Sequence, residues 1–237
     1  MTFLDLVQRL ARECAAGGDI DTLVDAEGEA LRLKEWIATA WQELQTKNDD
    51  WTWMRSSNLL GVGVSFATVA GDYDYPLGTG SGTVGVTAAN FGKWDRDSFR
   101  LYTTALGTND EVELGWIPYD AWRNAYMIGA QRSARTRPMV VSIGPAETVV
   151  LGPPPAAGYT ITADYFTAPS TMSLDADTPT GLPAQFHLLL VYMGMISYAG
   201  YESAPEVLDR AKAKYGPLMR RLERLRAQPI GMAGALA

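Results

Sequence analysis

Residues 186–196, FHLLLVYMGMI, predict a helix with apolar side chains on several of its faces. The residues that recur at helical spacing are Phe186, Leu189, Leu190, Met193 and Ile196. A helix this apolar is stable in water only when other elements cover it. The fold therefore depends on which other parts of the chain supply that cover.

Two more helices are predicted near the start of the chain. Thr2 and Asp5 resemble a capping box with Asp in the usual Glu position, and Gly17-Gly18 is expected to end the helix that follows. Its apolar stripe consists of Phe3, Leu6, Val7, Leu10 and Cys14. A second helix is predicted from about Glu27 to Lys47, closed by Asn48-Asp49-Asp50, with a stripe of Leu33, Trp36, Ile37, Ala40, Trp41 and Leu44.

A last helix is predicted after Ser203, which is a possible N-cap, with Pro205 near its first turn. Its apolar stripe consists of Val207, Leu208, Ala211, Tyr215, Leu218, Leu222 and Leu225. Gly216-Pro217 interrupts this stripe, and a proline inside a helix costs about 3 kcal/mol. We therefore expect a kink or a break at that point.

Between the helical ends, from Ser57 to about Pro183, β-branched and aromatic residues alternate with Gly and Pro, which is typical of short strands joined by turns. The run from Gly78 to Gly82 is predicted to be a hairpin tip or loop, and Pro118 to Met127 a short helix. The predicted strands are Leu59–Val69, Val84–Thr87, Phe99–Thr103, Val112–Ile117, Met139–Ile143, Glu147–Leu151 and Tyr159–Phe166.

These patterns together predict an α+β fold, in which N- and C-terminal helices form a bundle that is interrupted by an inserted antiparallel β-rich domain. The bundle is expected to comprise residues 1–56 and 182–227, and the insertion residues 57–181. Residues 228–237 are uncharged and rich in Gly and Ala, so we expect a flexible C-terminal tail.

Charge and composition exclude several classes of protein. The net charge of −7 argues against a surface that grips nucleic acid over its whole extent, although residues 203–237 carry seven basic and three acidic side chains. Cys14 is the single cysteine, so no intrachain disulfide can form. We expect a soluble protein without a secretory signal, because no apolar run reaches the roughly 18 residues of a membrane span.

Candidate chemistry is sparse, and each candidate has a structural alternative. His187 and Cys14 could meet inside the bundle, but a lone His on an apolar helix is more often a hydrogen-bonded core residue. The acidic pairs Asp72/Asp74, Asp95/Asp97 and Asp175/Asp177 could act as acid and base or bind Ca²⁺, but carboxylates in turns usually cap backbone N–H groups. The Gly78–Gly82 run lacks the Lys-Ser/Thr ending of a phosphate-binding loop. Because each of these candidates is weak, we expect no cofactor, no metal and no catalysis.

Aromatic and arginine clusters are the candidate interaction residues. Trp51, Trp53, Trp116 and Trp122 are expected at a subunit interface or at the seam between bundle and insertion, although a stacking platform for sugars or bases is an alternative. Arg132, Arg135 and Arg137 could contact DNA or the acidic face of a neighbouring copy, or remain solvated.

Several segments of this chain resemble head-to-tail adaptor (connector) proteins of tailed bacteriophages. The resemblance covers both helical ends, while the β region is only loosely similar. The segments that carry it are Thr2–Leu10, Glu35-Trp36-Ile37 with Ala40-Trp41 and Leu44-Gln45, Asp49–Arg55, and Asp175–Tyr201. The order of these segments in one chain carries the resemblance, since none of them is a catalytic fingerprint.

The resemblance implies a non-enzymatic structural virion protein at the head–tail interface, made in the host cytoplasm and active in genome packaging and DNA ejection. It implies a homo-oligomeric ring, commonly dodecameric, that binds the portal protein and tail or nozzle proteins, makes passing contact with double-stranded DNA in a channel, and does not contact a membrane. The expected portal-docking residues are Arg220, Arg221, Arg224, Arg226, Pro229, Ile230 and Met232.

Two functions of other classes remain open. The first is a tail-associated cell-wall or glycan hydrolase that uses the acidic turns above an aromatic floor. The second is a glycan- or receptor-binding β module of the virion, in which the segment from Ser57 to Leu182 is the functional part.

Overall fold

The computed structural model describes residues 1–16, 19–57 and 63–226, and it confirms the predicted α+β class. The chain forms two compact units. One, the helical unit, consists of Met1–Trp53 together with the chain from Pro169 onward, and the other, the β unit, is Met54–Ala168. The chain thus leaves the helical unit, forms the β unit and returns, as an insertion requires.

The helical unit contains α1 (Phe3–Cys14), α2 (Gly28–Thr46), α4 (Leu188–Glu202) and α5 (Pro205–Arg226), and these confirm the predicted helices. α4 packs against α1, α2 and α5. Its leucines at 189 and 190 are fully buried, as the apolar run predicts. Residues on the other three helices complete this core, including Leu6, Leu10, Leu33, Ile37, Ala211 and Leu222.

The predicted capping box at the start of α1 is confirmed. The backbone N–H of Asp5 donates to Thr2 Oγ1 at 3.1 Å, and the Asp5 carboxylate accepts from the backbone N–H of Thr2 at 2.8 Å. These hydrogen bonds lower the pKa of Asp5. The helix ends at Cys14, followed by Ala15 in the left-handed region, and the predicted stop at Gly17-Gly18 lies outside the described residues.

Of the two alternatives at Gly216-Pro217, a break is wrong, because α5 continues as one helix with Pro217 inside it, and a kink stays a prediction. Buried residues lie on both sides of the proline, at Ala211 and at Met219. Packing along this face offsets the loss of one backbone hydrogen bond. Ser203 also has a different place from the one expected, since it is the left-handed C-cap of α4.

The β unit consists of three small sheets and the short helix α3 (Tyr119–Tyr126), which confirms the helix predicted at 118–127. The first sheet has the order β1-β11-β4, with β1 Arg55–Ser56, β11 Tyr165–Thr167 and β4 Phe91–Trp94. The second has the order β2-β10-β5-β6, with β2 Val64–Ala67, β10 Tyr159–Ala163, β5 Arg100–Thr103 and β6 Val112–Glu113. The third has the order β3-β9-β8-β7, with β3 Asp74–Tyr75, β9 Val149–Gly152, β8 Val140–Ile143 and β7 Gly115–Trp116.

The strand pairings are antiparallel except for the two-residue pairing of β7 with β8. Four details differ from the sequence-based strands. The strand predicted at Tyr159–Phe166 is divided between β10 and β11, which lie in two sheets. The strand predicted at Val84–Thr87 is reduced to one bridge between Gly78 and Val86, and the one predicted at Val112–Ile117 is divided between β6 and β7, in two sheets. The two-residue strands β1 and β3 and the strand β4 were not predicted. Residues 59–62 of the predicted strand Leu59–Val69 lie outside the described residues.

One apolar core holds the β unit together. It takes buried side chains from all three sheets, and its aromatic residues include Phe66, Tyr75, Phe91, Trp94 and Phe99. Trp94 packs against both Phe91 and Phe99, with ring centroids 4.8 Å and 5.4 Å apart. Because these strands are short, this side-chain packing stabilises the unit more than the strand ladders do.

The two ends of the helical unit are joined by hydrogen bonds between segments far apart in sequence. The backbone N–H of Phe3 donates to the Asp177 carbonyl at 2.7 Å, and that of Leu4 to the Asp175 carbonyl at 3.2 Å. The Asp175 carboxylate accepts from the backbone N–H of Leu23 at 2.8 Å and from the hydroxyl of Thr22 at 2.6 Å. Residues 169–181 therefore lie in the helical unit, whereas the sequence pattern placed them in the insertion. The boundaries drawn at 57 and 181 stay predictions.

Gly194 allows α4 to approach α1 and α2 closely. A Cβ atom at this position would lie 2.8 Å from Leu10 Cδ2 and 3.2 Å from Ile37 Cδ1, while one at Gly200 of the same helix meets nothing within 4 Å. We expect Gly194→Val to lower the free energy of unfolding by about 1–3 kcal/mol through overpacking. The matched control Gly200→Val should change it by less than about 0.5 kcal/mol. Urea unfolding followed by circular dichroism measures both, and equal effects of the two substitutions would contradict the close packing.

Candidate interaction surfaces

Three tryptophans form a stack in the helical unit. Trp53 lies between Trp41 and Trp51, with ring centroids 5.5 Å and 6.0 Å away. Trp51 is buried, and its indole N–H donates to the Leu44 carbonyl at 2.8 Å. Trp53 is partly exposed, yet its Nε1 atom is buried and has no hydrogen-bond partner among the described residues. Trp51 thus serves the core of the unit, and the interface role expected for these two tryptophans stays a prediction.

Trp122 and Trp116 occupy contrasting positions in the β unit. Trp122 is buried on α3, where its N–H donates to the Leu151 carbonyl at 3.0 Å and its ring stacks on Tyr119 with centroids 5.7 Å apart. Trp116 is 37% exposed, and the Arg96 guanidinium lies 4.7 Å from its ring centroid. An exposed Trp covered by an Arg is a common feature of binding interfaces. Of this pair, Trp116 is the accessible one.

The second half of α5 presents exposed arginines. Arg220, Arg221 and Arg224 make no ion pair with any described residue. Arg221 lies 6.0 Å from the ring centroid of Phe186, and Arg224 donates from Nε to the Arg220 carbonyl at 3.4 Å. These contacts leave the positive charges uncompensated. The side chain of Arg226 and the residues Pro229, Ile230 and Met232 lie outside the described residues.

A further cluster, the aromatic patch, consists of Arg32, Trp36, Tyr198 and Tyr201 on α2 and α4. The Trp36 ring meets Tyr198 edge to face at 6.0 Å and Tyr201 at 5.9 Å. The Arg32 guanidinium lies 4.6 Å from the Tyr201 centroid and donates to the Tyr201 hydroxyl. Tyr201 is 56% exposed. Sequence reasoning missed this patch because its two halves are about 160 positions apart, and only the pairing of α2 with α4 brings them together.

Comparison with known protein families identifies the family of this chain. The sequence model of the SU10 adaptor protein family matches residues 1–234, which is nearly the whole length. The chain belongs to this family. It is therefore a phage adaptor protein and a structural component of the virion. The comparison with curated proteins found no match.

In this SU10 adaptor, the fold uses carboxylates of two of the three acidic pairs, Asp95/Asp97 and Asp175/Asp177. Asp95 forms an ion pair with Arg55 at 2.6 Å. Asp177 accepts from the backbone N–H groups of Ser173 and Leu174, and these hydrogen bonds lower its pKa. Only the pair at 72 and 74 is fully on the surface. Within residues 1–16, 19–57 and 63–226, no three His, Cys, Asp or Glu side chains are grouped so that they could hold a metal.

The two remaining chemical candidates of the adaptor are buried. Burial raises the pKa of the Cys14 thiol to about 12, so the thiol stays protonated and unreactive at neutral pH. His187 contacts the N-terminal amine of Met1 through Nδ1 at 3.1 Å and the Leu182 carbonyl through Nε2 at 3.0 Å. These contacts place its ring in the core of the helical unit as a hydrogen-bonded link.

The glycine run of the adaptor forms a compact turn. The hydroxyl of Thr83 donates to the Gly80 carbonyl at 2.7 Å, and Gly78 bridges to Val86 across the turn. This geometry agrees with the predicted hairpin tip. Among the helices that the structure describes, none combines the length and the apolar character needed to cross a membrane.

Burial is the main cause that lowers the pKa of His187 below its ordinary 6.5. The unfolded chain therefore binds a proton more readily, and this contribution to stability is present above pH 6.5 and lost as the pH falls through the range between the unfolded and folded pKa. We expect the free energy of unfolding to fall between about pH 7.5 and about pH 5.5, and His187→Gln to flatten that slope. Urea titrations across this pH range measure the free energy of unfolding of the wild-type protein and of His187→Gln. Identical slopes in the two proteins would contradict the role of His187 in the pH dependence.

Proposed function

We propose that this phage adaptor assembles into a ring between the portal and the tail and continues the channel through which the genome passes. The match of the SU10 adaptor family over residues 1–234 is the observation that carries this proposal. The packing of the N-terminal helices with the C-terminal helices in one compact unit supports it, because such a unit can present separate surfaces to several partners.

Ring assembly requires heterologous contacts, in which one surface of a subunit binds a different surface of the next and rotation closes the circle. The resemblance to connector proteins suggests twelve copies. The helical and β units each carry an exposed aromatic residue of the kind that anchors interfaces, at Tyr201 and Trp116. These are candidates for contacts between subunits or with tail proteins.

Docking on the portal is assigned to the second half of α5 and to residues 228–237. The arginines at 220, 221 and 224 are exposed and uncompensated by any described carboxylate. An acidic portal surface would attract them over a distance and orient the subunit as it binds. Attachment should therefore weaken as the salt concentration rises.

The acidic character of the rest of the chain suits a channel for DNA. The chain carries 27 acidic and 20 basic side chains, and its net charge is −7. Carboxylates that line a channel would repel phosphates, so the duplex could slide without tight binding. This function is structural and involves no catalysis. Its place is the head–tail interface of the virion.

Charge reversal on α5 tests the docking surface. We expect Arg220→Glu with Arg224→Glu to weaken binding to the portal by tenfold or more, because two attractive contacts become repulsive. The matched control is Lys212→Glu with Lys214→Glu, two exposed positions in the first half of the same helix, which should have a smaller effect. Biolayer interferometry at several salt concentrations measures the affinities. Equal losses in both double variants would contradict a local docking surface.

Removal of residues 228–237 tests the role of the C-terminal tail. We expect the truncated protein to keep its fold, because the described core lies entirely before residue 227, and to lose its attachment to the portal. Circular dichroism and thermal unfolding check the first expectation, and co-sedimentation with portal rings checks the second. Undiminished co-sedimentation of the truncated protein would refute the docking role.

A further inference from the structure

The aromatic patch on α2 and α4 has the composition of a binding hot spot. Its side chains are Trp, Tyr and Arg, the residue types that contribute most to the energy of protein interfaces. They are held in place by each other, since Trp36 contacts both tyrosines and Arg32 is hydrogen-bonded to Tyr201. Preorganised rings lose little conformational entropy when a partner binds. Such a surface is suited to recognition.

Carboxylates lie around the aromatic patch. Glu35 precedes Trp36 on α2, and Glu202 follows Tyr201 on α4, both with exposed side chains. Glu29 and Glu202 lie close enough to Tyr198 for their charges to act on its hydroxyl. None of the three forms an ion pair with a described residue. With Arg32 included, the patch and its rim carry a net charge of −2.

The β unit presents a surface with the opposite charge. The basic connection, residues 127–139 between α3 and β8, contains Arg132, Arg135 and Arg137 and no acidic residue. Arg137 is paired with Asp110 at 2.9 Å. This ion pair, together with hydrogen bonds from Thr103, lowers the pKa of Asp110 to about 2. Arg132 and Arg135 are exposed and have no ion pair with any described residue. Their charges are therefore available to a partner.

Exposed apolar side chains lie at both ends of the basic connection. Met139 is 71% exposed and Ile128 is 59% exposed. Exposed apolar groups are unfavourable to leave in water, and their combination with unpaired arginines is typical of a contact surface. Its chemistry complements the patch: guanidinium groups stack on Trp and Tyr faces, thioether sulfur packs against aromatic rings, and arginines pair with carboxylates.

We propose that the aromatic patch of one copy binds the basic connection of the next copy, and that this is a lateral contact of the ring. The inference rests on the proposed ring. The two surfaces differ, so the contact is heterologous and leaves one unused surface at each end of a growing chain of subunits, as ring closure demands. The arginines in the second half of α5 are a further exposed basic group, but the proposed function assigns them to the portal, and they cannot serve both contacts at once.

Two charge-reversal variants test this contact in the full-length protein. The patch variant is Glu35→Lys with Glu202→Lys, and the connection variant is Arg132→Glu with Arg135→Glu. Each should weaken self-association by about tenfold or more, because two attractive pairs become like-charged. The exposed pair Glu43→Lys with Asp49→Lys is the matched control for the patch, and Lys212→Glu with Lys214→Glu is the control for the connection.

Mixing the two variants provides the decisive measurement. The reversed patch of one variant faces the reversed connection of the other, so an equimolar mixture should restore assembly although neither variant assembles alone. Tyr201→Ala, which leaves all charges in place, should also weaken self-association, because the exposed ring is the centre of the patch. Sedimentation velocity and negative-stain electron microscopy, with and without portal, give the distribution of assemblies. Circular dichroism confirms that each variant is folded.

The possible results of these measurements distinguish the lateral contact from the ring itself. Loss in both variants with recovery in the mixture supports the contact. Rings that persist in both variants, or a mixture that does not recover, overturn the contact and leave the ring intact. Loss of self-association with Arg220→Glu and Arg224→Glu but not with the connection variant would make α5 the occupant of the patch and overturn the assignment. A wild-type chain that remains monomeric even on the portal contradicts both the contact and the ring.

Discussion

The helical unit depends on the hydrogen bonds that join its first helix to the segment around Asp175. Phe3 and Leu4 donate backbone N–H groups to carbonyls more than 170 positions away, and the Asp175 carboxylate holds the backbone at Leu23. Closing so long a loop costs conformational entropy, and the folded β unit reduces that cost by fixing most of the intervening chain. Apolar burial around α4 then favours the closed arrangement.

This arrangement determines which surfaces remain free. Each helix of the bundle turns one face to the common core, and α4 is covered by three neighbours. The charged and aromatic residues on the outer faces therefore do not contribute to the core. Surface ion pairs add little stability, so the uncompensated arginines of α5 and of residues 127–139 can be used for binding without weakening the fold.

Local patterns predicted the helices well and the strands less well. The capping box at Thr2 and the apolar stripes of α1, α2 and α4 lie within short stretches of sequence, where helical spacing is visible. Strands of two residues, such as β1, are too short to show any period, and their pairing is with distant residues. The same limit applies to the surfaces: the tryptophans were visible as residues, but whether Trp51 is buried and Trp116 exposed depends on contacts that no local pattern contains.

Pro217 inside α5 has a mechanical consequence. Because proline has no backbone N–H, the carbonyl four residues earlier, at Ala213, lacks its usual donor within the helix. Bending at this turn therefore costs less than elsewhere along the rod. The arginine-bearing turns after it stay packed on the bundle through Met219 and Leu222, so the weakened turn allows only small adjustments in the direction of the helix as a partner binds.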